Sequence, residues 1–108
     1  MEESKIQEMQ ILEQNLQNLL FQKQAFQMEL SETEAALSEI EKADDEVFKI
    51  IGQLMIKTNK SKVKDELSNK QKILNMRMKT IEKQESTLTK KIEQIREEFM
   101  KSMKKKEK

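Results

Sequence analysis

A chain of 108 residues is long enough for one small domain, but 38% charged residues and only four aromatics, all Phe, leave too little large apolar side chain for a compact globular core. A net charge of +1, from 21 basic and 20 acidic residues, argues against nucleic-acid binding by the molecule as a whole. The absence of His and Cys excludes imidazole acid–base catalysis, disulfides, thiolate chemistry and most zinc sites, so no metal or other cofactor is expected. The N-terminal Met-Glu-Glu-Ser-Lys-Ile-Gln-Glu-Met-Gln has no signal-peptide character. No stretch approaches the roughly 18 consecutive apolar residues of a membrane span. A cytoplasmic protein without membrane contact is expected.

In chain order, residues 4–43 read as a first helix. Met9, Leu16, Lys23, Leu30 and Leu37 form one seam position, and Leu12, Leu19, Phe26, Thr33 and Ile40 the other. Steps of three and four repeated over five heptads are the seam of a coiled coil. At a rise of ~1.5 Å per residue such a helix is roughly 60 Å long, far beyond an ordinary globular helix. Its surface is crowded with neutral amides (Gln7, Gln10, Gln14, Asn15, Gln17, Asn18, Gln22, Gln24, Gln27) before acids take over at Glu29. Two readings stand for that run: a solvated face, or an adaptable surface near a binding end.

The apolar rhythm changes after Ala43-Asp44-Asp45. Val47 to Ile51 and Leu54 to Thr58 are short β-favouring runs either side of Gly52-Gln53, which predicts a β-hairpin at about 46–58. Gly52, the chain's single glycine, supplies the positive φ of a tight turn. The plain alternative is an apolar loop. A second helix is predicted over about 60–103, capped by Asn59 or Ser61. Its seam holds Leu67, Leu74, Ile81, Leu88 and Ile95, with Gln71, Met78, Glu85, Ile92 and Phe99. Lys23, Thr33, Gln71 and Glu85 are polar breaks of the kind that fix register at a cost in stability. The internal Lys64-Asp65-Glu66-Leu67 spells a retention signal that is read only at a C-terminus, and belongs here to the first turns of this helix. The final Lys-rich run is expected to fray.

The predicted fold is therefore mainly α: an antiparallel two-helix coiled-coil hairpin with a short β-hairpin between the helices, forming one domain over 1–108. Leu30 then falls near Leu74, Leu16 near Leu88 and Met9 near Ile95. A continuous parallel rod would instead carry Gly52 and a strand-like segment in its middle, against propensity. A lone two-stranded hairpin is marginal in water and its edges are open to pairing. Val47, Phe48, Ile50, Gly52, Leu54 and Ile56 are accordingly the candidate assembly residues, pairing with the same segment of other chains.

The layout of coiled coil, β-hairpin and coiled coil resembles prefoldin, the ATP-independent co-chaperone, and in particular its β-class subunits of the archaeal type, which have a single hairpin. The resemblance is carried by Gly52-Gln53-Leu54-Met55-Ile56-Lys57, by Thr80-Ile81-Glu82-Lys83-Gln84-Glu85 and by Leu20-Phe21-Gln22-Lys23-Gln24, and it covers nearly the whole chain. It implies a hetero-oligomeric hexamer of two α-class and four β-class subunits. It also implies that the free coiled-coil tips hold unfolded polypeptides and deliver them to a group II chaperonin.

Both chain ends should meet at such a tip. The candidate polypeptide-binding residues there are Ile6, Met9, Ile11, Leu12, Phe99, Met100 and Met103. Ile6, Ile11, Met100 and Met103 lie off the seam and widen its apolar stripe, and Met suits unspecific recognition because its side chain is unbranched and polarizable. Lys101, Lys104, Lys105, Lys106 and Lys108 read as a solvated end or as a chaperonin-docking cluster; no aromatic accompanies them to suggest nucleic acid. A structural spacer with a fixed protein partner is the competing function. An enzyme is not expected, since the carboxylates lie on solvated helix faces with no cavity to shift them.

Overall fold

The computed structural model describes residues 2–106, with side chains for residues 3–104. Two long helices, α1 (Glu2–Lys42) and α2 (Lys60–Lys106), are joined through a two-stranded antiparallel sheet of β1 (Glu46–Ile51) and β2 (Leu54–Asn59). All ten seam positions read in α1, and all ten in α2, are buried or half-buried, so the heptad assignment holds along both helices. The Lys-rich run continues α2 through Lys106, three residues beyond the expected end of the helix. It contains no breaker, and lysines in a last turn complement the negative end of the helix dipole.

The chain forms two compact units. The hairpin unit is Ala25–Met78, and the terminal unit is Met1–Gln24 with Lys79–Lys108. In the hairpin unit Leu30, Ile40, Leu74 and Met78 are buried, Leu74 most deeply at 2% exposure. Thr33 is equally buried, and its hydroxyl donates to the Glu29 carbonyl at 2.8 Å, so this polar break is satisfied within its own helix. The Arg77 guanidinium sits 5.7 Å from the centre of the Phe26 ring, a cation–π contact over the seam.

The turn from α1 into the sheet is held by the side chain and backbone of Lys60. Lys60 Nζ donates to the carbonyls of Glu41 (3.0 Å) and Ala43 (3.2 Å), closing the end of α1, while Lys60 N donates to the Asp45 carbonyl at 2.9 Å. Of the two candidate caps of α2, Asn59 is the one used: its Oδ1 accepts from Lys62 N at 2.8 Å. In the hairpin Ile51 opposes Leu54, leaving Gly52-Gln53 as a two-residue loop. Gly52 has φ 61° and Gln53 has no positive φ, which makes the turn type II′ rather than I′.

The terminal unit has a thinner core. Ile81 and Ile92 are buried, whereas Met9, Leu12, Leu16, Leu19, Leu88, Ile95 and Phe99 are half-buried. Here two of the polar breaks meet: Lys23 Nζ lies 3.1 Å from Glu85 Oε2, across the seam. Lys5–Glu98 (3.3 Å) and Glu13–Arg96 (3.8 Å) bind the two helices nearer the chain ends.

Candidate functional site

Two surfaces leave apolar side chains uncovered, one in each unit. The first is the hairpin. Its register puts Phe48, Ile50 and Met55 on one face, edged by the Glu46–Lys57 ion pair at 2.9 Å. The other face carries Val47, Ile51, Leu54 and Ile56, with Lys49 reaching Glu66 of α2 at 2.7 Å. Apart from half-buried Val47 these apolar residues are all exposed, Ile50 to 71%. Phe48 and Ile50 thus lie on the face opposite Leu54 and Ile56, and the hairpin is apolar on both sides. Ile51 and Met55 complete the two faces and were missed by the sequence reading. The signal was the lack of alternation, with adjacent apolar residues at Val47-Phe48, Ile50-Ile51 and Leu54-Met55-Ile56, since alternation marks a strand with one covered face and continuity a strand with two.

One ion pair ties this surface to α2, and a second joins α1 to α2 beside it. Lys49 hydrogen-bonds Glu66, and Lys64 approaches Glu41 to 2.5 Å. The hydrogen bond from each lysine, with its charge, holds the carboxyl of its partner below the ordinary carboxylate range.

The second surface is in the terminal unit. Ile6, Ile11, Met100 and Met103 are exposed, between 44% and 59%. Met9, Leu12 and Phe99 are half-buried in the seam beside them. The Glu13–Arg96 pair marks one flank of the seam, and one heptad closer to the chain ends the same flank carries Ile6 and Met103. Ile11 and Met100 lie on the outer faces of their helices. Lys101 and Lys104 are exposed nearby, whereas Lys108 and the side chains of Lys105 and Lys106 lie outside the described residues.

On the opposite flank the two helices leave a shallow groove of about 570 Å³. Leu19 and Leu88 form its floor, and Asn15, Asn18, Gln22 and Gln84 its rim. It lies beside the Lys23–Glu85 pair, so the Leu20–Gln24 and Thr80–Glu85 stretches meet at one place. Further exposed apolar side chains, Phe21, Met28, Ile73 and Met76, stand off the seam, where heptad reading assigns no role. Among the described residues no group of three or more acidic, His or Cys side chains is placed to hold a metal ion. No described helix is long and apolar enough to cross a membrane.

The sequence model of the family described as "prefoldin subunit" matches residues 3–106. The chain is 38% identical over 90 residues to prefoldin subunit beta of Pyrobaculum islandicum, covering 82% of this chain and 72% of that protein. It is 35% identical over 85 residues to prefoldin subunit beta of Thermococcus onnurineus, covering 77% and 73%. The crystal structure of the prefoldin beta subunit from Thermococcus strain KS-1 superposes with a TM-score of 0.87 at 33% identity, over 93% of this chain and 90% of that one. With two long helices, one intervening hairpin and a family match along almost its whole length, the chain belongs to the prefoldin family.

Proposed function

We propose that this chain is a subunit of an ATP-independent co-chaperone. It binds non-native polypeptides through apolar residues beside its chain ends and passes them to a group II chaperonin. The observation that carries the reading is the exposure of Ile6, Ile11, Met100 and Met103 outside a seam that already has its apolar partners. Residues needed only to hold the helices together belong on the seam. Exposed isoleucines and methionines, Ile6 and Met103 beside the seam and Ile11 and Met100 on the outer helix faces, supply adaptable apolar surface suited to clients that share no sequence. The hairpin, uncovered on both faces, supports assembly with further prefoldin subunits, which we read as two α-class and four β-class chains. Lys101 and Lys104, with the lysines that follow, supply positive charge for docking on an acidic chaperonin surface. A spacer with one fixed partner has less support, because it needs no apolar surface at the chain ends.

The test is suppression of aggregation of a chemically denatured protein without nucleotide. Replacing Ile6, Ile11, Met100 and Met103 together by Ser should abolish most of the suppression while helicity and assembly mass stay unchanged. These four are preferable to Met9 and Phe99, whose truncation also opens the seam. Undiminished suppression by the assembled variant would rule out the patch.

A further inference from the structure

We propose that the groove on the other flank of the terminal unit holds a short extended segment of a non-native polypeptide by its backbone. This rests on the reading of the chain as a polypeptide-binding subunit and gives it a second contact of different chemistry. The rim amides Asn15, Asn18, Gln22 and Gln84 each offer N–H donors and a carbonyl acceptor. Among the described residues none of the four has a side-chain hydrogen bond within the protein. Thr87, also in the lining, has its hydroxyl engaged with the Lys83 carbonyl at 3.0 Å. Lys83 brings the groove's one charge, and no carboxylate lines it among the described residues. The result is a neutral rim of unused peptide-like groups over an apolar floor of Leu19 and Leu88.

That rim selects its occupant. A docked helix has its own backbone groups already bonded, and would set apolar side chains against amides left without partners. An extended, unfolded chain presents an N–H and a C=O at every residue, the complement of what the rim offers. From Asn15 to Gln22 is two turns of α1, about 10 Å at ~1.5 Å per residue. That length admits about three extended residues at ~3.3 Å each. Recognition through backbone groups is indifferent to sequence, and the leucine floor takes whatever apolar side chain the segment brings. The same reading accounts for residues the seam does not require. Asn is a poor helix former in mid-helix, so Asn15 and Asn18 are a costly choice for solubility alone, which Glu or Lys would supply.

The full-length chain should be titrated with a fluorescently labelled, permanently unfolded probe, reduced and carbamidomethylated α-lactalbumin, and followed by anisotropy. The double variant Gln22→Met and Gln84→Met keeps side-chain length, removes donors and acceptors, and makes the groove more apolar. Binding of the probe should weaken about tenfold, from two lost hydrogen-bonding groups at a few-fold each. Equal or tighter binding overturns the inference, because it shows that apolar area alone drives capture. A fall in assembly mass for the double variant also overturns it, by making the groove an interface between copies. If the wild-type chain does not bind the probe, the proposed function and this inference fall together. If wild type binds and only the Ile6, Ile11, Met100 and Met103 variant is impaired, the function stands and the groove is excluded.

Discussion

The hairpin unit and the terminal unit are built from the same two helices with the same heptad rule, yet they use apolar side chains in opposite ways. In the hairpin unit five of the nine seam positions, Leu30, Thr33, Ile40, Leu74 and Met78, are buried, and Phe26, Leu37, Leu67 and Gln71 are half-buried. In the terminal unit most of the seam is half-buried, and Ile6, Ile11, Met100 and Met103 stand outside it. Side-chain size accounts for part of the difference. Every alanine of the chain (Ala25, Ala35, Ala36, Ala43) lies in the hairpin unit, as does the seam residue Thr33. Short side chains at and beside a seam let two helices approach closely. The flanks of the terminal unit carry Gln, Glu and Lys instead. One region is arranged for stability, and the other keeps an incomplete core and apolar groups in reserve.

The largest expected effect concerns the uncovered hairpin. Ile50→Asp should abolish assembly, read as loss of the oligomer by light scattering, with helicity by circular dichroism retained. An unchanged mass would mean that the apolar hairpin is not an interface. Next in size, Leu74→Ala should cost about 2–5 kcal/mol in urea denaturation, as for a fully buried leucine, and half-buried Leu88→Ala clearly less. Equal losses at the two sites would erase the contrast between the units. A smaller effect is expected where the polar breaks meet. Lys23→Glu places two carboxylates across the seam and should lower stability by about 1 kcal/mol, recovered when Glu85→Lys is added. Failure of the double reversal to recover would show that the pair does not set register.

The smallest effect is on pH. Glu41 and Glu66 have carboxyls held below their ordinary range by the hydrogen bonds and charges of Lys64 and Lys49. Their contribution is therefore present above the unfolded carboxylate value and is lost as pH falls through the lowered, folded one. Both are exposed pairs, so the change is slight and salt-sensitive. Protection factors of the β1 and β2 amides, taken relative to the intrinsic exchange rate at each pH, should fall below the usual carboxylate range, with the terminal unit less affected. A uniform fall in both units would count against a local clamp.

Much of this was legible in the sequence because a heptad seam is a one-dimensional property. Positions three and four apart share a helix face whatever else the chain does, so Leu16, Leu30, Leu74 and Ile92 could be placed without coordinates. The hairpin was legible from Gly52 and its β-branched flanks. What sequence withheld was pairing between distant positions. Lys23 and Glu85 read in sequence as two separate polar breaks that fix register, and only their meeting at 3.1 Å turns two breaks into one contact. Ile51 and Met55 were missed, although Val47 was already chosen from the face of β1 opposite Phe48 and Ile50. The groove was invisible for the same reason as the ion pair, since Gln22 and Gln84 are 62 residues apart and become neighbours only through the fold. Of the candidate binding residues, the exposure of Ile6, Ile11, Met100 and Met103 followed from their off-seam positions alone.

The bare hairpin has a consequence for how the protein is made. A copy that has met no partner displays Phe48, Ile50, Ile51, Leu54, Met55 and Ile56 on a two-stranded sheet with both edges open. Such a surface is what proteases and holding factors recognise in damaged proteins. If other chains cover this sheet, surplus copies are liable to be removed or to stick to one another, and synthesis of this chain has to stay in step with theirs. On the function proposed above, a protein that shields others would, until assembled, need shielding itself.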